Sequence, residues 1–356
     1  VFVAWKDLRF ARGRFALMGT VIVLITVLVG LLSGLTAGLG RENTSAITSL
    51  PADHLVFSAP ADGGTVSFAD SRLPDKSVRG WSQEPGVESA EPLGIATAKA
   101  EAGSRTAALS AFAVRPGSRL APEAGKIADG RAVLSRQAAD DLGARAGDAI
   151  TLGGRTVRVA AVSGAAMYSH TPVIWTSPGD LRALPGGSGG ATVLALTTSG
   201  SPDLAAADEK FGTRTVTAAA ALDGIGSYAA ENGSLQLMRG FLFAISALVI
   251  GAFFTVWTIQ RSGDVAVLKA LGASTGYLLK DALGQAVVLL VLGTGVGTAL
   301  AAGLGAAVGG TVPFVLDPST VLVPALIMIA LGAVGAALSI RRITSVDPLT
   351  ALGSVR

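Results

Sequence analysis

The chain contains no cysteine, only two histidines and three tyrosines, and little charge: Asp, Glu, Lys and Arg make up 15% of its 356 residues. Without cysteine there can be no disulfide, no thiol nucleophile and no zinc–thiolate site, and its absence says little about the compartment. A soluble globular domain carries roughly 25% charged residues, so much of the usual solvated surface is missing. The deficit is concentrated in a few long charge-free stretches. No G-x-x-x-x-G-K-[ST] run occurs either, which excludes a P-loop to cradle nucleotide phosphates. The net charge of +3 is small. A pI near 9.4 does not point to nucleic acid, because the basic residues flank apolar runs, where they orient a chain in a membrane. What fills the chain is apolar: 50% hydrophobic residues and a mean hydropathy of +0.56.

About 20 apolar residues carry a helix across a hydrocarbon core of roughly 30 Å. Four stretches meet that need: residues 15–40, 228–260 (a stalk running into the second span), 282–308 and 320–340. The first is longer than a signal-peptide core of about 7–15 residues. Lys6, Arg9, Arg12 and Arg14, in an expected amphipathic helix over 1–14, precede the first span. Arg261, Lys269 and Lys280 lie in the segment 261–281 between the second and third, and Arg341, Arg342 and Arg356 fall in the tail 341–356. The loop between the third and fourth spans has Asp317 and no Lys or Arg. Lys and Arg bias therefore predicts both termini in the cytoplasm and the insert 41–227 outside the plasma membrane.

The insert reads as a folded α/β unit. Residues 132–134 predict a strand, with Ser135 capping a helix that runs to Leu142 and Gly143. Residues 149–152 and 156–162 alternate as two strands joined at Gly153-Gly154. Residues 173–176 predict another strand, Ser177-Pro178 opens a helix, and residues 185–190 form a glycine-rich loop. From Ala218 to Tyr228 a helical pattern resumes and leads into the second span.

Between the second and third spans stands Thr258-Ile259-Gln260-Arg261-Ser262-Gly263-Asp264-Val265-Ala266-Val267-Leu268-Lys269-Ala270-Leu271-Gly272-Ala273-Ser274. Its spacing predicts a short helix with Val265, Leu268 and Leu271 on one side, ended by Gly272. The segment resembles the coupling segment of ABC-transporter permeases of the type that includes macrolide exporters, lipoprotein-release permeases and a cell-division permease. The tail Ser345-Val346-Asp347-Pro348-Leu349-Thr350-Ala351-Leu352 resembles their ending. The fold this resemblance implies is an integral membrane, α-helical four-span permease with a large α/β extracytoplasmic domain between spans 1 and 2. It also implies a non-enzymatic transport subunit that needs no cofactor of its own, with ATP hydrolysed by a separate ABC ATPase subunit present in two copies. Asp264, Val265, Leu268 and Lys269 would touch that ATPase; Asp264 stands where the family more often has Glu. Gly293 and Gly297, and again Gly305 and Gly309, form small-xxx-small pairs that serve either packing within the chain or a dimer seam.

Within the family, residues 258–285 are most similar to the permease of bacterial heme efflux pumps, which implies heme as cargo and a second permease copy, a homodimer, as partner. Two other readings stay open: a different amphipathic cargo (a peptide, lipid or macrolide), and a non-transporting mechanical coupler that regulates cell-wall hydrolases. Residues able to bind heme iron are few: His54, His170, Met18, Met167, Met238, Met328, Tyr168, Tyr228, Tyr277 and carboxylates. Tyr228, Glu231, Leu235 and Met238 are spaced 3, 4 and 3 apart and share one helical face. Glu231 and Met238 would lie about 10.5 Å apart along the axis, comparable to a porphyrin's width. Glu231 is thus the candidate iron ligand, with Tyr228, Leu235 and Met238 as walls; Arg41 and Arg239 are candidates for pairing with propionates. A carboxylate at the border of an apolar span also calls for a partner, and a snorkelling Glu beside a packing Met is the alternative.

Overall fold

The computed structural model describes residues 12–61, 63–187, 190–200, 202–260, 262–309 and 312–344; for 12–15, 262, 264–266 and 340–344 it describes the backbone alone. Most of the expected helix over 1–14 and the tail from Ser345 lie outside the described residues. In chain order the elements are α1 (Arg12–Thr48), β1 (His54–Ser58), α2 (Asp75–Trp81), β2 (Val87–Ala102), β3 (Arg105–Ala113), β4 (Arg131–Leu134), α3 (Arg136–Leu142), β5 (Ala149–Leu152), β6 (Arg155–Val162), β7 (Met167–Tyr168), β8 (Thr171–Thr176), α4 (Pro178–Arg182), β9 (Val193–Thr198), α5 (Leu204–Phe211), β10 (Thr213–Thr217), α6 (Gly226–Gln260), α7 (Ser262–Ala270), α8 (Thr275–Val308) and α9 (Pro318–Thr344). The chain divides into a unit of residues 1–38 and 234–356 and a unit of residues 39–233.

The first unit carries the apolar helices. Four helices, α1, α6, α8 and α9, are long and apolar enough to cross a membrane. Each extends beyond the apolar stretch read from the sequence, because polar residues at its ends continue the helical hydrogen bonding. Met18, Ile22 and Val29 of α1 form one core with Ile250, Phe254 and Trp257 of α6, Leu289 and Leu290 of α8, and Met328 and Ala336 of α9. Lipid tails are as apolar as these side chains, so close fit rather than water release holds such a bundle together. The small residues supply the fit. A Cβ on Gly293 would come within 2.8 Å of Ile22, and one on Gly297 within 2.6 Å of Thr26 and 2.8 Å of the Val23 carbonyl. This pair therefore packs α8 against α1 of the same chain. The second pair divides: Gly305 and Gly34 both face the Phe314 ring, while among the described residues Gly309 has only its own helix's carbonyls near it. Thr255 of α6 and Ser339 of α9 share a hydrogen bond of 2.9 Å between helices.

The second unit is built on a ten-stranded sheet in the order β10-β1-β9-β2-β3-β8-β4-β6-β5, with β7 hairpinned onto β8. Most neighbours are antiparallel; β3–β8 and β4–β6 run parallel. The sixteen-residue β2 serves two partners, pairing with β9 through its first half and β3 through its second. The strand pair 149–162 turns at Gly153 and Gly154 with φ of +55° and +87°, angles that glycine adopts without steric cost. Ser135 caps α3 by accepting from the Ala138 N–H, Gly143 ends that helix in the left-handed region, and Ser177 caps α4. One apolar core gathers Leu55, Phe57, Phe68, Phe112 and Trp175 with Ala46 and Ile47 from the end of α1. A second lies under α3, around Leu109, Leu134, Leu142 and Ile150.

Candidate functional site

The helical pattern expected over 218–228 breaks once: residues 220–224 make a 3-10 turn, Ile225 is extended, and α6 starts at Gly226. From there the helix is continuous to Gln260, so Tyr228, Glu231, Leu235 and Met238 lie on one helix at the expected spacing. Tyr228 and Glu231 belong to the sheet unit, and Leu235, Met238 and Arg239 to the apolar unit. Tyr228 is half-buried and packs against the first core of the sheet domain, so much of its ring is already used for packing. Leu235 and Arg239 are half-buried. Met238 is 54% exposed on α6. Arg41 is exposed at the C-terminal part of α1. His54 sits at the start of β1, 116 residues before His170 in sequence, and has no part in the cluster around Glu231.

The partners of Glu231 are residues that no local spacing joins to it. Glu231 directs its carboxylate at His170, whose Nε2 lies 3.0 Å from one oxygen and 3.1 Å from the other. Asn43 Nδ2 donates to the same carboxylate at 3.2 Å, and Ser227 Oγ donates to Asn43 Oδ1. On its other side, His170 Nδ1 stands 3.7 Å from a Glu42 oxygen. The imidazole Nε2 is also 2.9 Å from Asn43 Nδ2. One nitrogen cannot both donate to a carboxylate and accept from an amide. A proton on Nε2 makes the hydrogen bond to Glu231, and a proton on Nδ1 leaves Nε2 to accept from Asn43. Both side chains keep access to solvent: His170 is 31% exposed and Glu231 42%.

The backbone puts His170 there. Ser169 and His170 are the two central residues of the β7–β8 hairpin, where Tyr168 pairs with Thr171. Their φ values are +50° and +61°, as a type I′ turn requires and as Asn-Gly normally supplies. Non-glycine residues in this region cost of order 1–3 kcal/mol and persist where surrounding contacts fix them. Here the fixing contacts are visible. The Ser169 N–H donates to the Asn43 carbonyl at 3.0 Å and the His170 N–H to the Glu42 carbonyl at 3.3 Å. Ser169 Oγ meets Ser227 Oγ at 2.8 Å, and Ser45 Oγ accepts from the Met167 N–H at 2.9 Å. The hairpin tip thereby stitches the last turns of α1 to the first turn of α6. Behind it Tyr168 stacks edge-on against Phe68 and Phe112, and burial pushes its phenol well above the usual range. His170, Glu42 and Glu231 do not converge as a three-ligand metal set, nor does any other group among the described residues.

Residues Ser262–Ala270 form α7, and the stretch ends where Gly272 takes a φ of +92°. Leu268 is exposed and Lys269 half-buried, with Leu271 80% exposed just beyond. The side chains of Asp264 and Val265 lie outside the described residues.

Residues 15–210 match the family model described as MacB-like periplasmic core domain, and residues 237–348 match that described as FtsX-like permease C-terminal. Among curated relatives, the "Putative hemin transport system permease protein HrtB" of Staphylococcus haemolyticus is 28% identical, covering 99% of each chain. The protein of the same description from Staphylococcus epidermidis is 24% identical over 99% of each chain. The "Uncharacterized ABC transporter permease Rv2563" of Mycobacterium tuberculosis is 28% identical, again over 99% of both.

Proposed function

Since the chain belongs to the ABC-transporter permeases that join a MacB-like periplasmic core domain to an FtsX-like C-terminal half, we propose that it exports heme as a homodimer, driven by two copies of a separate ATPase. The observation that carries the cargo is the full-length similarity to two permeases named for hemin transport. The chemistry around Glu231 supports it. A carboxylate held by His170 and Asn43 at the start of α6 is an anionic oxygen donor suited to ferric iron, and Met238 lies two turns further along the same helix. Heme would enter from the outer half of the membrane, with Glu231 at or beside the iron and Leu235 and Met238 against the ring. Arg41 and Arg239 are the candidates for pairing with its propionates. In two-fold symmetry each of these residues would occur twice around one cavity. On the cytoplasmic side α7 would dock on the ATPase, with Asp264 and Lys269 at the rim and Val265 and Leu268 in the contact.

The test is hemin-stimulated ATP hydrolysis by the reconstituted complex in lipid vesicles. Stimulation by hemin and not by a macrolide, a lipid or a peptide is the expected result. Equal response to these other amphiphiles would make heme one cargo among several, and response to none would favour the mechanical coupler.

A further inference from the structure

The contacts of His170 raise a question that the heme reading leaves open: both oxygens of Glu231 are already taken. The imidazole Nε2 faces them at 3.0 and 3.1 Å, and Asn43 Nδ2 holds one of them at 3.2 Å. The same Nε2 has a second partner within reach, the Asn43 amide at 2.9 Å, and Nδ1 has Glu42 at 3.7 Å. His170 can therefore satisfy itself in two ways without gaining or losing a proton overall. In one tautomer Nε2–H donates to Glu231. In the other the proton sits on Nδ1, toward Glu42, and Nε2 accepts from Asn43 Nδ2.

We propose that His170 is a built-in competitor for Glu231: cargo loads by taking the carboxylate from His170, which turns to Asn43, and unloading is completed when His170 reclaims it. This rests on the reading of Glu231 as the cargo's ligand. His170 is a positioning residue in this scheme and never binds the iron. Three features favour competition over a purely structural pairing. Both members of the pair are partly exposed to solvent, so a ligand can reach them. The alternative partners are preassembled: Ser227 donates to Asn43 Oδ1, which leaves Nδ2 aimed at both Glu231 and His170. And His170 sits at a strained φ of +61°, held by its N–H bond to the Glu42 carbonyl. Its backbone is thus held independently of the Glu231 contact.

The strain also supplies the right substitutions. Asn and Gly tolerate the left-handed region, so His170→Asn and His170→Gly keep the turn while removing the reach to Glu231. A charge-assisted hydrogen bond shifts an equilibrium about tenfold or more when buried, and less when half-exposed as here. Purified wild type and both variants, in complex with the ATPase, would be titrated with hemin. Release would then be timed by transfer of hemin to excess apomyoglobin. The expected result is hemin bound about three- to tenfold more tightly by both variants, released correspondingly more slowly, with an unshifted Soret maximum. Weaker or unchanged binding in both variants, or a shifted Soret maximum, would overturn the competitor and leave the heme reading intact. Failure of the wild type to bind hemin at all would overturn that reading and the competitor with it.

Discussion

Adding one methyl group to Gly297 tests how the apolar helices are held together. In Gly297→Ala the new Cβ would stand 2.6 Å from Thr26 Cβ and 2.8 Å from the Val23 carbonyl oxygen, both on α1. The second atom is backbone, so no rotamer change relieves it. Ordinary contact needs about 3.5 Å, and α1 must back away from α8 by roughly 0.7–0.9 Å. A gap of about 0.5–1 Å forfeits a quarter to a half of each dispersion contact along the seam. Overpacking of this kind costs about 1–3 kcal/mol, or roughly 5- to 150-fold in the folded ratio. Gly295→Ala is the matched control, since a Cβ there meets nothing within 4 Å among the described residues. Thermal unfolding of the purified chain in detergent should show a lowered midpoint for Gly297→Ala and none for Gly295→Ala. If Gly297→Ala melted like wild type but separated two copies of the chain, the glycine seam would lie between copies and the packing argument would be wrong.

Three further outcomes are expected. Tyr168 holds its proton more tightly in the folded chain than in the unfolded one, because burial penalises the phenolate. Its contribution to stability is therefore complete below the ordinary tyrosine value of about 10 and falls as pH rises above it; alkaline melting curves of Tyr168→Phe should show a smaller decline than wild type. In this cysteine-free background, a cysteine replacing exposed Asp141 should react with an impermeant maleimide on intact cells, and one replacing exposed Leu271 only after permeabilisation; the reverse pattern would invert the proposed orientation. Asp264→Lys should weaken co-purification with the ATPase while leaving hemin binding unchanged, and an intact complex with unaltered hydrolysis would remove Asp264 from that interface.

Much of the fold was legible because its signals are local. Charge-free runs mark the spans, Ser135, Ser177 and Gly143 mark helix ends, and Gly153-Gly154 marks a hairpin; each acts on neighbours a few residues away. The stalk face carrying Glu231 was legible for the same reason, as spacing along one helix. Its partners were not. Asn43, His170 and Glu231 are brought together across 127 and 61 residues by a strand order that pairs β3 with β8 and β1 with both β9 and β10. The tight turn at Ser169-His170 lacks the Asn-Gly wording that announces a type I′ hairpin, because tertiary bonds to the Glu42 and Asn43 carbonyls hold it instead. One signal was available: a carboxylate bordering an apolar span calls for a partner, and the chain has only two histidines to offer. The roles of Gly293 and Gly297 were likewise undecided by sequence, since an inter-helix seam reads the same within a chain as between chains.

The central claim is that Glu231 receives heme, and hemin titration of the purified permease–ATPase complex tests it most directly. Glu231→Gln keeps the size of the side chain and its capacity to bond His170, and removes the anion. The account predicts a saturable Soret band in wild type, shifted or lost in Glu231→Gln, with basal ATP hydrolysis and assembly preserved. An identical band and affinity in Glu231→Gln would contradict it, and would do so most pointedly if the band then disappeared in His54→Ala.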